Sequence, residues 1–217
     1  MALRFIGEKG QGTTADAIKA IKYGIDNGAK VLSNSWGSIG DDGGEESKAL
    51  QDAITYAEQK GVLFIAAAGN GDPQTGVGYD NDADPSKAAY PASYSHDIIV
   101  TVAAIDEAGA LGKFSNWGGR SVDLAAPGVK VFSTVVQSEK YSDTVIDIPG
   151  FLTATWDGTS MATPHVAGAA ALYWSAHPDK DWRTVKGALL NSVKKTSVLG
   201  GKVTSGGQLD VQNLMRN

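Results

Sequence analysis

The run Val62-Leu63-Phe64-Ile65-Ala66-Ala67-Ala68 leaves this chain few ways to fold. Its apolar residues do not alternate with polar ones, so neither face is suited to water, and the segment reads as a central strand of a parallel sheet. Gly61 precedes the run, and before it Ala49, Leu50, Ala53, Ile54 and Ala57 recur at helical spacing. The same unit occurs upstream. Ala17, Ile18, Ile21 and Ile25 share one helical face over 13–27, Thr13 or Thr14 can cap its start, and Gly28 can end it in a left-handed conformation. Val31 and Leu32 then begin a strand. Ala-Ile-Lys-Tyr at 20–23 precedes Gly28 as Ala-Ile-Thr-Tyr at 53–56 precedes Gly61; two ordinary helix-to-strand units account for the likeness. Further strands are expected over 98–104 and 129–133, and helices over 160–176 and 182–192. The expected fold class is α/β, three layers with a mainly parallel sheet flanked by helices.

A length of 217 residues with 42% hydrophobic content is enough for one substantial core, and 1–217 reads as a single domain. A net charge of −5 spread along the chain, with Lys194-Lys195 as its only basic cluster, argues against a nucleic-acid partner. The absence of cysteine excludes disulfides, thiolate nucleophiles and thiolate metal sites. No stretch approaches the roughly 20 apolar residues of a membrane span, and Met1 to Gly7 is too short an apolar run for a signal peptide.

In parallel sheets, ligands gather outside the carboxyl ends of the strands. Three loops there stand out: Asn34-Ser35-Trp36-Gly37, Gly69-Asn70-Gly71 and Gly158-Thr159-Ser160. A serine at a helix start lies beside backbone N–H groups without intrahelical partners, which suits a nucleophile that generates an oxyanion next to itself. Asn70 can add a side-chain donor. Taken singly, Ser160 is equally a helix cap and Asn70 a turn residue. Gly7, Gly10 and Gly12 before a helix also suggest a phosphate cradle, but their order is not G-x-G-x-x-G and no Gly-Lys-Ser/Thr follows.

Taken together, these segments resemble the subtilisin-like serine proteases over essentially the whole chain. Gly-Thr-Ser-Met-Ala-Thr-Pro-His-Val-Ala-Gly at 158–168 is similar to that family's serine motif, and Ala66-Ala67-Ala68-Gly69-Asn70 to its oxyanion-asparagine segment. Tyr90-Pro91-Ala92 and Ala126-Pro127-Gly128 fall between them in the family's order. The resemblance implies Ser160 as nucleophile, with Asn70 and the Ser160 N–H as oxyanion donors. It implies an extended polypeptide substrate between Gly10-Gln11-Gly12 and Ser35-Trp36-Gly37, bound by strand addition. Ala67, Ala68 and Gly69 would line the pocket for the residue before the cut, with Ala89 near its floor. A medium or large apolar side chain suits that pocket. The family also suggests an extracellular location.

The resemblance implies no required cofactor but a possible structural calcium, held by the carboxylate of Asp123 with the carbonyls of Ala92 and Tyr94, and a cis Tyr90-Pro91 bond. The alternating Asp80, Asp82 and Asp84 do not form an EF-hand loop, since Pro85 and Pro91 stand where such a loop needs Gly-compatible turns and a glutamate.

One departure is large. The family's chain order is Asp, His, Ser, yet no Asp unit and no His-Gly-Thr-His unit precede Ser160. The three histidines are His96, His165 and His177. His165 lies five residues along the helix, about 140° around the axis from Ser160, and is expected to point elsewhere; solvated structural roles are expected of His96 and His177. Met-Ala-Leu-Arg-Phe-Ile at the start resembles the interior of a buried strand. The chain therefore reads as the C-terminal part of a catalytic domain, active only if an N-terminal part supplies His and Asp. The alternative is a peptide-binding or regulatory remnant without turnover. Ile6 and Val31 would then flank an unpaired sheet edge, through which self-association is possible.

Overall fold

The computed structural model describes residues 1–7, 10–40, 45–135, 145–148 and 151–216. Helix α1 (Thr14–Asp26) begins at the expected cap, where the Thr13 hydroxyl accepts from the Asp16 N–H, and is followed by Gly28 at φ +83°. The remaining elements are β1 (Val31–Asn34), β2 (Ser38–Ile39), α2 (Glu45–Lys60), β3 (Leu63–Ala67), β4 (Ala89–Tyr90), β5 (Ile99–Ile105) and β6 (Leu124–Pro127). Then come β7 (Val131–Val135), β8 (Val145–Ile148), β9 (Phe151–Trp156), α3 (Thr159–Ala176), α4 (Trp182–Asn191), β10 (Lys194–Lys195), β11 (Gly207–Gln208) and α5 (Val211–Leu214).

The main sheet has the order β1-β3-β5-β6-β11-β10 and is parallel except for the last pair. Every residue of β3 and β5 is buried, which requires cover on both faces because successive side chains point opposite ways. The alternation is visible in the packing: Val102, Ala104, Leu124 and Ala126 join the large core with α3 residues Ala162, Val166 and Ala170, while Ala103, Ile105 and Ala125 join a smaller one with Val122, Leu199 and Val203. Helix α3 lies against β1, β3, β5 and β6, so its first turn is seated at the carboxyl end of the sheet. The architecture is a three-layer α/β fold.

Two expectations change. The segment expected as a strand over 129–133 is β7, which leaves the parallel sheet and pairs antiparallel with β9, itself paired with β8. The parallel strand beyond β5 is β6, whose four residues Leu-Ala-Ala-Pro are too few and too small to announce a strand. The start of the chain, Met1 to Ile6, forms no strand; Met1 is 76% exposed. Strand geometry needs a hydrogen-bonding neighbour, and among the described residues β1 pairs only with β3 and forms the sheet edge. Phe5 instead packs edge-on against Trp36, ring centroids 5.2 Å apart.

Phe64 is fully buried at the centre of β3. Phe64→Ala is expected to cost about 3–5 kcal/mol and lower the thermal midpoint accordingly. Asp181 caps α4; bonds from the Thr184 hydroxyl and backbone N–H hold its carboxyl below the usual carboxylate range. A lowered native value means that its stabilisation is complete above about pH 4 and is lost as pH falls through that lowered value. Thermal melts across the acid limb should therefore show a shallower pH dependence in Asp181→Asn than in the parent chain.

Candidate active site

Three strand-end loops meet at the first turn of α3. Both the N–H and the hydroxyl of Thr159 donate to Asn70 Oδ1, each at 2.9 Å. Because a backbone N–H can only donate, the accepting atom must be the carboxamide oxygen, which fixes Nδ2 as the atom on the other side. Among the described residues Nδ2 has no hydrogen-bond partner, and a β-carbon placed on Gly158 would lie 3.7 Å from it. Ser160, the second residue of α3, likewise keeps a backbone N–H for which the helix offers no acceptor. These are two donors without internal partners beside a half-buried serine hydroxyl.

Ser160 is tied to the first loop by a reciprocal pair. Its hydroxyl donates to the Ser35 carbonyl at 3.2 Å, and the Ser35 hydroxyl donates to the Ser160 carbonyl at 2.8 Å. The second bond has a cause in the sequence. Helical pairing would give the Ser160 carbonyl a donor from residue 164, but Pro164 has no N–H. Ser35 supplies the missing donor and so joins the end of β1 to the helix.

No histidine is hydrogen-bonded to Ser160. His165 Nδ1 bonds the Met161 carbonyl at 2.8 Å, and its ring makes no hydrogen bond to Ser160, although both residues line a cavity of about 410 Å³ beside β7. His96 is not merely solvated, since its Nε2 bonds Thr55 Oγ1 at 3.1 Å; His177 stacks on Tyr173 at 4.3 Å and bonds its carbonyl. Among the described residues, the acceptor for the Ser160 hydroxyl is the Ser35 carbonyl.

The segments expected to bracket a substrate come together. Gly10, Gln11 and Gly12 face Trp36 and Gly37 across a cavity of about 440 Å³, which Phe5 and Tyr90 also line. Ser35 lies outside that lining, bonded to Ser160. A β-carbon on Gly37 would stand 2.6 Å from the Tyr90 carbonyl oxygen, so the close approach requires glycine. Gly69, at φ +104°, is enclosed in the same way: a β-carbon there would come within 2.6 Å of Asn116 Nδ2 and 2.8 Å of the Ala89 β-carbon. Gly69 and Ala89 are thus neighbours, and Ala67 precedes them at the end of β3. Ala68 is a correction. Its side chain is fully buried in the smaller core, on the opposite face from that of Ala67, so it is core rather than pocket wall.

Sequence reasoning missed what holds the Ala68-Gly69 segment. Asn81 Nδ2 donates to the Ala68 carbonyl at 2.9 Å, Asn116 Nδ2 donates to Asn81 Oδ1 at 2.9 Å, and the Asn116 N–H donates to the Gly69 carbonyl. Both asparagines are buried, although in the sequence they look like loop residues. The Gly69 N–H completes the link by donating to Thr159 Oγ1 at 3.2 Å.

Two of the three oxygens expected to hold calcium are engaged by protein donors. Asp123 Oδ2 accepts from the Thr101 N–H at 2.7 Å, the Ala92 carbonyl accepts from the Thr101 hydroxyl at 2.8 Å, and Lys186 Nζ stands 3.6 Å from Asp123 Oδ1. Burial pushes the Asp123 carboxyl up, opposed by the Lys186 charge and the Thr101 N–H. Among the described residues no three His, Cys, Asp or Glu side chains converge as a metal cluster. The Tyr90-Pro91 bond is cis. Among the described residues no helix is long and apolar enough to cross a membrane.

The three loops thus bring a serine at a helix start and an anchored asparagine carboxamide together at the carboxyl end of a parallel sheet. The sequence pattern of the Subtilase family matches residues 1–212, and the chain belongs to that family. It is 35% identical over 201 residues to thermitase of Thermoactinomyces vulgaris, covering 92% of this chain and 59% of that protein. It is 33% identical over 196 residues to subtilisin Savinase of Lederbergia lenta, covering 90% of this chain and 59% of that protein. The chain therefore spans about three fifths of the length of these relatives. Among solved structures, a lanthipeptide protease superposes with a TM-score of 0.81 at 26% identity, over 99% of this chain and 69% of that one.

Ser35→Ala should leave the Ser160 carbonyl without a donor at a cost of about 1–3 kcal/mol. Adding Pro164→Ala, which restores an N–H at 164, should recover part of that loss, so melts of the two single variants and the double variant are expected to be non-additive.

Proposed function

We propose that this chain carries the nucleophile, oxyanion site and substrate cleft of a serine endopeptidase, with the histidine and aspartate supplied by a segment outside these 217 residues. The observation that supports it best is the anchoring of Asn70 by Thr159, which leaves a carboxamide N–H and the Ser160 N–H as free donors at one place. An oxyanion formed on a carbonyl attacked by Ser160 Oγ would meet both. In the first step the Oγ–carbon bond forms while the hydroxyl proton passes to the supplied imidazole. In the second the carbon–nitrogen bond breaks and the leaving amine takes that proton. Water then hydrolyses the acyl-enzyme by the same route.

The substrate in this reading is an extended polypeptide between Gly10-Gln11-Gly12 and Ser35-Trp36-Gly37. The side chain before the cut lies towards Ala67, Gly69 and Ala89, where no matched position carries an acid to select lysine or arginine. The free edge of β1 is the natural place for a further strand to pair, whether from the supplied segment or from a second copy.

A second reading, a peptide-binding remnant without turnover, is favoured by two observations: the Ser160 hydroxyl is bonded to the Ser35 carbonyl, and all three histidines have other hydrogen-bond partners. Complementation separates the two readings. The chain alone should resist labelling by an active-site-directed fluorophosphonate. Mixing it with a subtilase fragment bearing Asp-Ser/Thr-Gly and His-Gly-Thr-His units should give labelling at Ser160 and cleavage of an extended peptide. In that complex Asn70→Ala should lower kcat by about 10²–10³, the magnitude found for the equivalent donor of subtilisin. A complex that binds peptide but neither labels nor cleaves would establish the remnant reading instead.

A further inference from the structure

On the far side of the molecule from the cleft, the ammonium of Lys186, on α4, reaches the start of β5 and the residue before β6. Its Nζ donates to the carbonyls of Ile99 at 2.6 Å and Asp97 at 3.0 Å, and stands 3.6 Å from Asp123 Oδ1. An ammonium has three N–H donors, and three oxygens surround this one. Both side chains are largely covered, with 20% of Lys186 and 16% of Asp123 exposed. Two carbonyls and a carboxylate converging at a partly covered point make a place for a positive charge, and here the chain supplies it.

We propose that Lys186 is a built-in cation that takes the place of a metal ion at the junction of α4, β5 and β6, and that removing it opens this junction to a divalent cation. Three features support the exchange. The oxygen set is the hard kind that calcium takes, but calcium needs six to eight such ligands at about 2.3–2.6 Å, and the ammonium occupies the point on which these converge. A dication beside a fixed ammonium would be repelled at close range. Finally, the buried hydroxyls of Ser93 and Ser121 have no partner among the described residues, and both line the same cavity of about 340 Å³ as Asp123 and Lys186. Both offer oxygens to an ion in that cavity, which Arg120 also lines. This inference does not depend on the protease reading, since it concerns the opposite end of the sheet and is read from stability.

The test compares thermal midpoints and calorimetric calcium titrations in EDTA and in excess CaCl₂ for the parent chain, Lys186→Met, and Lys186→Met combined with Asp123→Asn. The parent midpoint should be the same in both solutions, with no calcium bound. Lys186→Met should melt lower in EDTA, bind calcium with a stoichiometry of about one and recover part of its lost midpoint with it; the added Asp123→Asn should abolish both effects. Calcium binding by the parent chain that Asp123→Asn removes would overturn the proposal, as would a folded Lys186→Met indifferent to calcium. Should Lys186→Met fail to fold, the parent titration, with Asp123→Asn as its control, still decides whether a metal or the ammonium holds the junction.

Discussion

The double hydrogen bond from Thr159 to the carboxamide oxygen of Asn70 is the contact on which the rest of the site depends. It satisfies one of the orphan N–H groups at the start of α3 and at the same time decides which way the Asn70 amide faces. A free asparagine would turn either end toward a ligand. Bonded in this way it presents only donors, in register with the Ser160 N–H, before any substrate arrives. In the proposed reaction, such preorganisation would need no reorganisation at the moment charge develops.

Polar anchoring of this kind is possible because the apolar fold holds its partners still. The all-buried strands β3 and β5 fix where their carboxyl ends emerge, and α3 lies across them, seated by Ala162, Val166 and Ala170. Pro164 then removes one helical hydrogen bond and Ser35 replaces it, so a local defect in α3 becomes a tie to β1. The buried Asn81–Asn116 pair does the corresponding work for the backbone of Ala68 and Gly69. At the other end of the sheet Lys186 ties α4 to the strands.

Much of this was legible in the sequence because it rests on period and local chemistry. The unbroken apolar run marked β3, the capping threonine and Gly28 bracketed α1, and the glycine-flanked Ser160 and Asn70 identified the loops that converge. Other features rest on long-range pairing, which periodicity does not carry. Strand β6 has only four residues, mostly alanine, and becomes a strand because β5 and β11 flank it. The 129–133 segment has strand-forming residues but leaves the parallel sheet to find its partner in β9. Ala67 and Ala68 are chemically identical neighbours, and nothing in the sequence says that Ala68 packs into the smaller core. Asn81, Asn116 and Lys186 look like ordinary surface residues until their partners, distant in sequence, are known.

The central claim is that the oxyanion site and nucleophile are in place and that only the proton acceptor is lacking. Chemical rescue tests it directly: hydrolysis of an activated ester of an apolar peptide by the chain alone, followed as imidazole is added and compared with Ser160→Ala. The claim predicts negligible turnover without imidazole and a rate that rises with the concentration of its free base. The imidazole-dependent rate above that of free solution should disappear in Ser160→Ala. Rapid hydrolysis without imidazole, lost in Ser160→Ala, would reveal a base within the chain; imidazole-dependent rates unchanged by Ser160→Ala would show that the serine half of the site is not assembled. Either result would contradict the account.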